Sequence, residues 1–254
     1  MTFWGAARDG YRWSAGMLRA LPWLAVLIVA LEGLQHLVEW RTGMYVSLAA
    51  AKAGEHDPAR MMAGLAKVAW LLVLHYWAAR FIVSGGSVTA TFGRDRVAVR
   101  RFAVYFAFSL ALAVTQLWLP VWMRTAGADN ARIVAVSLAL MLGGLPLGVA
   151  LSPWSTGAAI GDPAAGPLMA LRRAGGSIFW GLGLTLVVIL PVMAAHYVLA
   201  LAPIGRPPLV AGALLAADSV LVGFLGVLVN TVPVLIAMRM ARRRGEPLSL
   251  CAAD

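Results

Sequence analysis

Six long apolar stretches, separated by short polar ones, dominate the chain: residues 21–38, 61–83, 102–123, 133–151, 178–202 and 209–238. Each is close to or above the ~20 residues that a helix needs to cross ~30 Å of hydrocarbon. No segment alternates apolar and polar positions over barrel-strand lengths, which excludes a membrane β-barrel. The pattern predicts an all-α polytopic membrane protein of six transmembrane helices in one domain. The last stretch is the longest and holds Gly223 and Gly226, so it should tilt, kink or emerge from the bilayer. For a transporter, Gly143-Gly144-Leu145-Pro146 and Pro191 are where spans four and five could break to line a binding site.

Composition supports lipid as part of the solvent. Of 254 residues, 61% are hydrophobic and 13% charged, with a mean hydropathy of +0.81. A soluble domain carries about 25% charged residues. The net charge of +10 would point to nucleic acid in a soluble protein. Here no basic domain stands outside the bilayer, so nucleic acid is excluded as a partner and the basic residues are read as span anchors. The Ala, Gly and Arg bias fits a GC-rich bacterial genome. The single cysteine, Cys251, allows neither an intrachain disulfide nor a cysteine metal site. Arg8, Arg12 and Arg19 precede the first apolar run and no small-residue cleavage site follows it, so the first span is expected to be retained.

With the N-terminus inside, the cytoplasmic segments hold Arg8, Arg12, Arg19, Arg80, Arg94, Arg96, Arg100, Arg101, Arg172, Arg173 and the arginines from Arg239 to Arg244. That gives this side a two-to-one excess of basic residues. The positive-inside rule then predicts an inner-membrane protein with both termini cytoplasmic. Trp13, Trp23, Trp40, Trp118, Trp122, Trp154 and Trp180 fall near span ends, where interfacial belts lie.

Each odd-numbered span is preceded by a basic, partly amphipathic segment: 8–19, 94–101 and 167–173. Such segments can lie in the headgroup plane, with Arg8, Arg12, Arg19, Arg94, Arg96, Arg100, Arg101, Arg172 and Arg173 on anionic lipid. The repeating unit would be an interfacial helix plus a hairpin, three times over. In this arrangement, and in patterns such as 163–173 before span five, the chain resembles the membrane domain of bacterial glycerophosphodiester phosphodiesterases and YciC-like inner-membrane proteins. That resemblance implies a non-catalytic membrane module. No soluble phosphodiesterase segment accompanies the spans, so that activity is not carried over.

Polar chemistry concentrates in a few intramembrane positions. Glu32, Gln35, His36 and Glu39 stand at relative positions 0, 3, 4 and 7, which is one helix face. A rise of about 1.5 Å per residue brings Glu32, His75 and Asp218 to one level near the midplane, with Lys67 level with His36 and Glu39, and His196 in the same outer layer. Intramembrane charges are costly and mark candidate functional sites.

The leading reading is a non-enzymatic membrane module that engages lipid, scaffolds or assembles, with Lys67 paired to Glu39 and Glu32 either protonated or bonded to His75. Its partners would be anionic lipid headgroups and a membrane protein or a second copy. The alternative is a small transporter or channel component using Glu32, His75 and Asp218. A third is a metal-dependent membrane hydrolase. No cofactor or metal is expected; were one held, His36, Glu39 and His75 would be its ligands, joined by His56 or His196. His36-x-x-Glu39 lacks the second histidine of the zinc-protease helix motif, and no glycine run has phosphate-loop spacing. Asp57-Pro58 reads as a helix start and Ser84-Gly85-Gly86-Ser87 as a helix end and turn. Small residues at Gly143, Gly148, Gly181, Gly183, Gly223 and Gly226 favour close helix packing.

Overall fold

A computed structural model describes residues 2–246 and 248–250; Cys251 lies outside the described residues. Among the described residues the regular structure is entirely helical, in the order α1 (Phe3–Ala20), α2 (Pro22–Arg41), α3 (Leu48–Ala53), α4 (Pro58–Val83), α5 (Val88–Thr91), α6 (Arg96–Thr125), α7 (Asn130–Ala159), α8 (Pro167–Ala174), α9 (Ile178–Leu201) and α10 (Pro208–Arg242). Six of these, α2, α4, α6, α7, α9 and α10, are long and apolar enough to span a bilayer. The chain is thus an all-α polytopic membrane protein.

The helices start and stop where local chemistry directs. Asp57, Asp95 and Asp129 each accept from the backbone N–H three residues on, at 3.0, 2.8 and 2.8 Å, and so cap α4, α6 and α7. Leu21 precedes a proline, which disfavours its helical conformation. Its φ of −138° and ψ of 58° separate α1 from α2. After α4, Gly85 and Gly86 adopt positive φ, and the Gly86 N–H reaches back to the Phe81 carbonyl at 2.8 Å, the expected helix end. Most of the helices run past the apolar windows because hydropathy falls at the capping residues while the backbone remains helical.

Two expectations fail. α7 and α9 run unbroken through Pro146 and Pro191. A proline removes one intrahelical donor, and a membrane helix held by its neighbours can absorb that loss. The segment 94–101 is not a separate interfacial helix either. From Arg96 onward it forms the first turns of α6, behind the one-turn α5. The other two basic segments are helices of their own, α1 and α8.

α10 is the axis of the bundle, packed by α1, α2, α4, α7 and α9. In its most apolar window 72% of residues are buried, against 6% for α6 at the periphery. At 35 residues it is about 52 Å long, more than the hydrocarbon needs. Close approach depends on glycine: a Cβ at Gly223 would meet Val29 Cγ2 at 2.5 Å, and one at Gly226 would meet Ile28 Cδ1 at 2.5 Å. α1 is more than a headgroup float. Its small face of Ala6, Ala7, Gly10 and Ser14 is buried, and the Tyr11 hydroxyl donates to the Val188 carbonyl at 2.8 Å. Trp154 is buried between Tyr105 and Phe108, so it belongs to the core and not to an interfacial belt.

Candidate functional site

The helical spacing of Glu32, Gln35, His36 and Glu39 places all four on the buried face of α2. Glu32 is 1% exposed and His36 6%. α4 runs antiparallel and supplies two cations on one side, Arg60 and, two turns deeper, Lys67. Arg60 Nε donates to Glu39 Oε1 at 2.7 Å, and the Lys67 ammonium donates to Glu32 Oε2. The expected Lys67–Glu39 pair therefore gives way to two rungs, Arg60–Glu39 and Lys67–Glu32. The reason is the start of α4: it begins at Pro58, not residue 61, so Arg60 is a helical residue facing Glu39.

Glu39 takes further donors. The Tyr45 hydroxyl, from the loop after α2, donates to Oε2 at 2.5 Å, and Gln35 Nε2 donates to Oε1 at 3.0 Å. His36 Nδ1 lies 3.0 Å from Glu39 Oε2 and 2.9 Å from the Tyr45 oxygen. Because the Tyr45 proton is committed to Glu39, its oxygen is free to accept from His36. Burial, together with the hydrogen bond to the Glu39 carboxylate and its charge, pushes the Tyr45 phenol above its ordinary value.

The other edge of His36 faces α10. Its Nε2 lies 3.1 Å from Asp218 Oδ2 and 3.7 Å from Glu32 Oε1. On the far side of Asp218, which is fully buried, His196 Nδ1 of α9 lies 2.8 Å from Oδ1. Four helices and a loop thus meet in one network. Beside it lies a cavity of about 270 Å³, with Glu32, His36, Arg60, Lys67 and His196 on its wall and apolar Leu201 and Ile204 among its other lining. The cluster therefore borders a cavity instead of being closed on all sides by packed helices.

His75 does not join Glu32 and Asp218. It lies buried against Phe102 and Tyr105, with ring centroids 6.3 and 6.1 Å away, and Asn230 adjoins it. His75 stands eight residues beyond Lys67 along α4, so it lies about 12 Å deeper than the Lys67–Glu32 rung and not level with it. A metal held by His36, Glu39 and His75 is excluded by the same separation. Arg60 and Tyr45 lie outside the six apolar stretches, so hydropathy alone does not bring them to the site. Asp57-Pro58, as a helix start, was the signal that puts Arg60 on α4.

The basic residues assigned to lipid divide in two. Arg8, Arg12, Arg19, Arg94, Arg96, Arg100 and Arg172 are exposed. Arg101 instead donates to the Pro163 carbonyl at 2.9 Å, and Arg173 pairs with Asp162 and Glu246 at 3.3 and 2.7 Å. Arg80 is buried and donates to the carbonyls of Thr91 and Gly93, both at 3.0 Å.

No family model matches the chain, and no similar curated protein or solved structure was found.

Proposed function

We propose that the α2–α9–α10 cluster is a divalent-metal centre, with Glu32, His36, His196 and Asp218 as its ligands, in a membrane enzyme of hydrolytic type. The observation that carries this reading is the convergence of ligand atoms from Glu32, His196 and Asp218 within 4.8 Å of one another, beside the cavity, with His36 Nε2 3.1 Å from Asp218. Two imidazoles and two carboxylates suit zinc and its neighbours. Metal-binding histidines commonly donate their second ring N–H to a carboxylate, and Glu39 stands in that relation to His36 Nδ1.

Charge balance supports the same reading. Lys67 and Arg60 offset two of the three carboxylates, leaving one negative charge. A divalent ion with one anionic ligand brings the network to neutrality, which a low-dielectric site requires. Such an ion lowers the pKa of a coordinated water and polarises a carbonyl or phosphoryl oxygen. Lys67 on the cavity wall is placed to hold an anionic group of a substrate, and Leu201 and Ile204 to contact its apolar part. The positive-inside rule puts the arginine-rich end, and both termini, in the cytoplasm. The exposed arginines there sit against anionic headgroups.

A second reading rests on His36 alone. Both of its ring nitrogens face carboxylate oxygens, Glu39 at 3.0 Å and Asp218 at 3.1 Å. One proton shared there neutralises the network without a metal. The cluster is then a helix lock or a proton site, as in a non-enzymatic module or a small transporter. Metal analysis separates the two. Protein purified without chelators is expected to hold about one equivalent of zinc, manganese or iron, lost in His196→Ala and Asp218→Asn. Folded wild type that stays metal-free after incubation with zinc and with manganese overturns the metal centre in favour of the second reading.

A further inference from the structure

A second polar chamber lies deeper in the bundle. Asn230 on its wall is twelve residues beyond Asp218 along α10, about 18 Å further in. The chamber has a volume of about 240 Å³ and is walled chiefly by α4, α7, α9 and α10. Through Tyr105, Gly144, Leu145 and Gly148 it adjoins an apolar chamber of about 730 Å³ bounded by α6, α7 and α9. The rim of the larger chamber includes Met141, Leu142 and Leu190, all exposed on the outside of the bundle where acyl chains lie.

Some acceptors on the inner chamber's wall have no donor. His75 is buried on its wall, and its Nε2 has no hydrogen-bond partner. Pro153 and Pro233 have no N–H, so the carbonyls four residues earlier, Val149 and Val229, lose their helical donors. Both valines line the chamber. The Ser152 and Thr185 hydroxyls are already spent on the Gly148 and Gly181 carbonyls, at 3.1 and 2.8 Å. None of the residues lining either chamber is Asp, Glu, Lys or Arg.

We propose that the two chambers together bind one molecule of a neutral single-chain lipid whose head carries a hydroxyl group, the head at His75 and the chain between α6, α7 and α9. A hydroxyl supplies the donor that His75 Nε2 and the two carbonyls lack. A charged head would be buried among uncharged lining with no counter-charge, at high cost. The apolar chamber is continuous with the lipid-facing surface, so a chain enters from the side. The combined space is of the size of known small-molecule pockets. The site is separate from the metal cluster and does not depend on it.

The test uses the full chain, purified in detergent and stripped of lipid, with 1-monooleoylglycerol and methyl oleate as probes and native mass spectrometry as the readout. Wild type is expected to retain one monooleoylglycerol, and methyl oleate, which has no donor, about tenfold less. A Cβ at Gly148 meets nothing within 4 Å, so Gly148→Leu folds and fills the junction; it is expected to lose both lipids about equally. His75→Phe is expected to bring the two probes to equal, weak retention. Equal retention of the two probes by wild type, retention of neither, or undiminished retention by folded Gly148→Leu overturns the proposal. If His75→Phe fails to fold, the two-probe comparison and Gly148→Leu still decide it.

Discussion

His36 Nε2 lies 3.1 Å from Asp218 Oδ2 although 182 residues separate the two. This contact ties the first spanning helix to the last, at a carboxylate with no exposed surface. Asp218→Asn keeps the shape and removes the charge. Breaking one partner of a buried pair costs about 3–5 kcal/mol. The variant is expected to unfold at a clearly lower temperature in detergent, followed by circular dichroism. An unchanged midpoint would mean that Asp218 carries no charge in the native protein.

The Lys67–Glu32 rung tests the pairing directly. Lys67→Met leaves Glu32, 1% exposed, without its cation. Glu32→Gln leaves the ammonium without its anion. The double variant removes both charges, so its loss of stability should be smaller than the sum of the single losses by about 0.5–3 kcal/mol. Chemical unfolding of the four proteins closes the cycle. Additive losses would place the two groups in separate environments.

How much of this was legible depends on what helical periodicity can carry. Six spans followed from hydropathy alone, because each helix crossing hydrocarbon must be apolar along its length. The spacing of Glu32, Gln35, His36 and Glu39 fixed them to one face, and the structure buries that face. Pairing between helices was harder. Rise per residue gives depth only once helix ends and tilts are known. Lys67 meets Glu32 and not Glu39, and His75, eight residues further along α4, lies about 12 Å deeper. The chain carries no local record of how α4 slides and turns against α2. Asp57-Pro58 puts Arg60 in the first turn of α4, but its pairing with Glu39 depends on how α4 packs against α2. The closing of the cluster by His196 required the approach of α9 to α10, a property of packing and not of either sequence segment.

Tyr45 gives the site a pH signature. Its phenol is raised in the folded protein by burial and by Glu39, while the unfolded chain titrates near the ordinary value of about 10. Above that pH the unfolded state loses the proton and the folded state keeps it, so stability is full below about pH 10 and falls as pH rises further. Unfolding of wild type across pH 8 to about 11 should show this decline, and Tyr45→Phe should flatten the part due to Tyr45. An equal slope in both proteins would assign the decline to other groups.

Arg80 holds the opposite end together. Its guanidinium donates to the carbonyls of Ala90, Thr91, Gly93 and Ala159 at 3.2, 3.0, 3.0 and 3.4 Å, and lies 3.6 Å from Asp95. It thereby fastens α4 to the turn before α6 and to the end of α7. Lysine keeps the charge but cannot span this fork. Each lost hydrogen bond to a charged group costs about 1.5–3 kcal/mol. Arg80→Lys is expected to lower the unfolding midpoint and to open residues 84–95 to limited proteolysis. A variant as resistant as wild type would show that the carbonyls find other donors.

Packing at Gly223 sets whether His36 and Asp218 can meet at all. The glycine lies five residues beyond Asp218 on α10, and a Cβ there would sit 2.5 Å from Val29 Cγ2 and 3.5 Å from the Ala25 carbonyl oxygen on α2. A branched side chain cannot be absorbed by the valine alone, because the α2 backbone stands behind it. Gly223→Leu therefore has to push α2 and α10 apart, with overpacking of about 1–3 kcal/mol. Gly212, on the same helix, faces open space and serves as the control. Gly223→Leu is expected to lower both the unfolding midpoint and any bound metal, whereas Gly212→Leu leaves both unchanged. Equal behaviour of the two variants would show that the α2–α10 seam tolerates a wider spacing, and that the His36–Asp218 contact is not set by it.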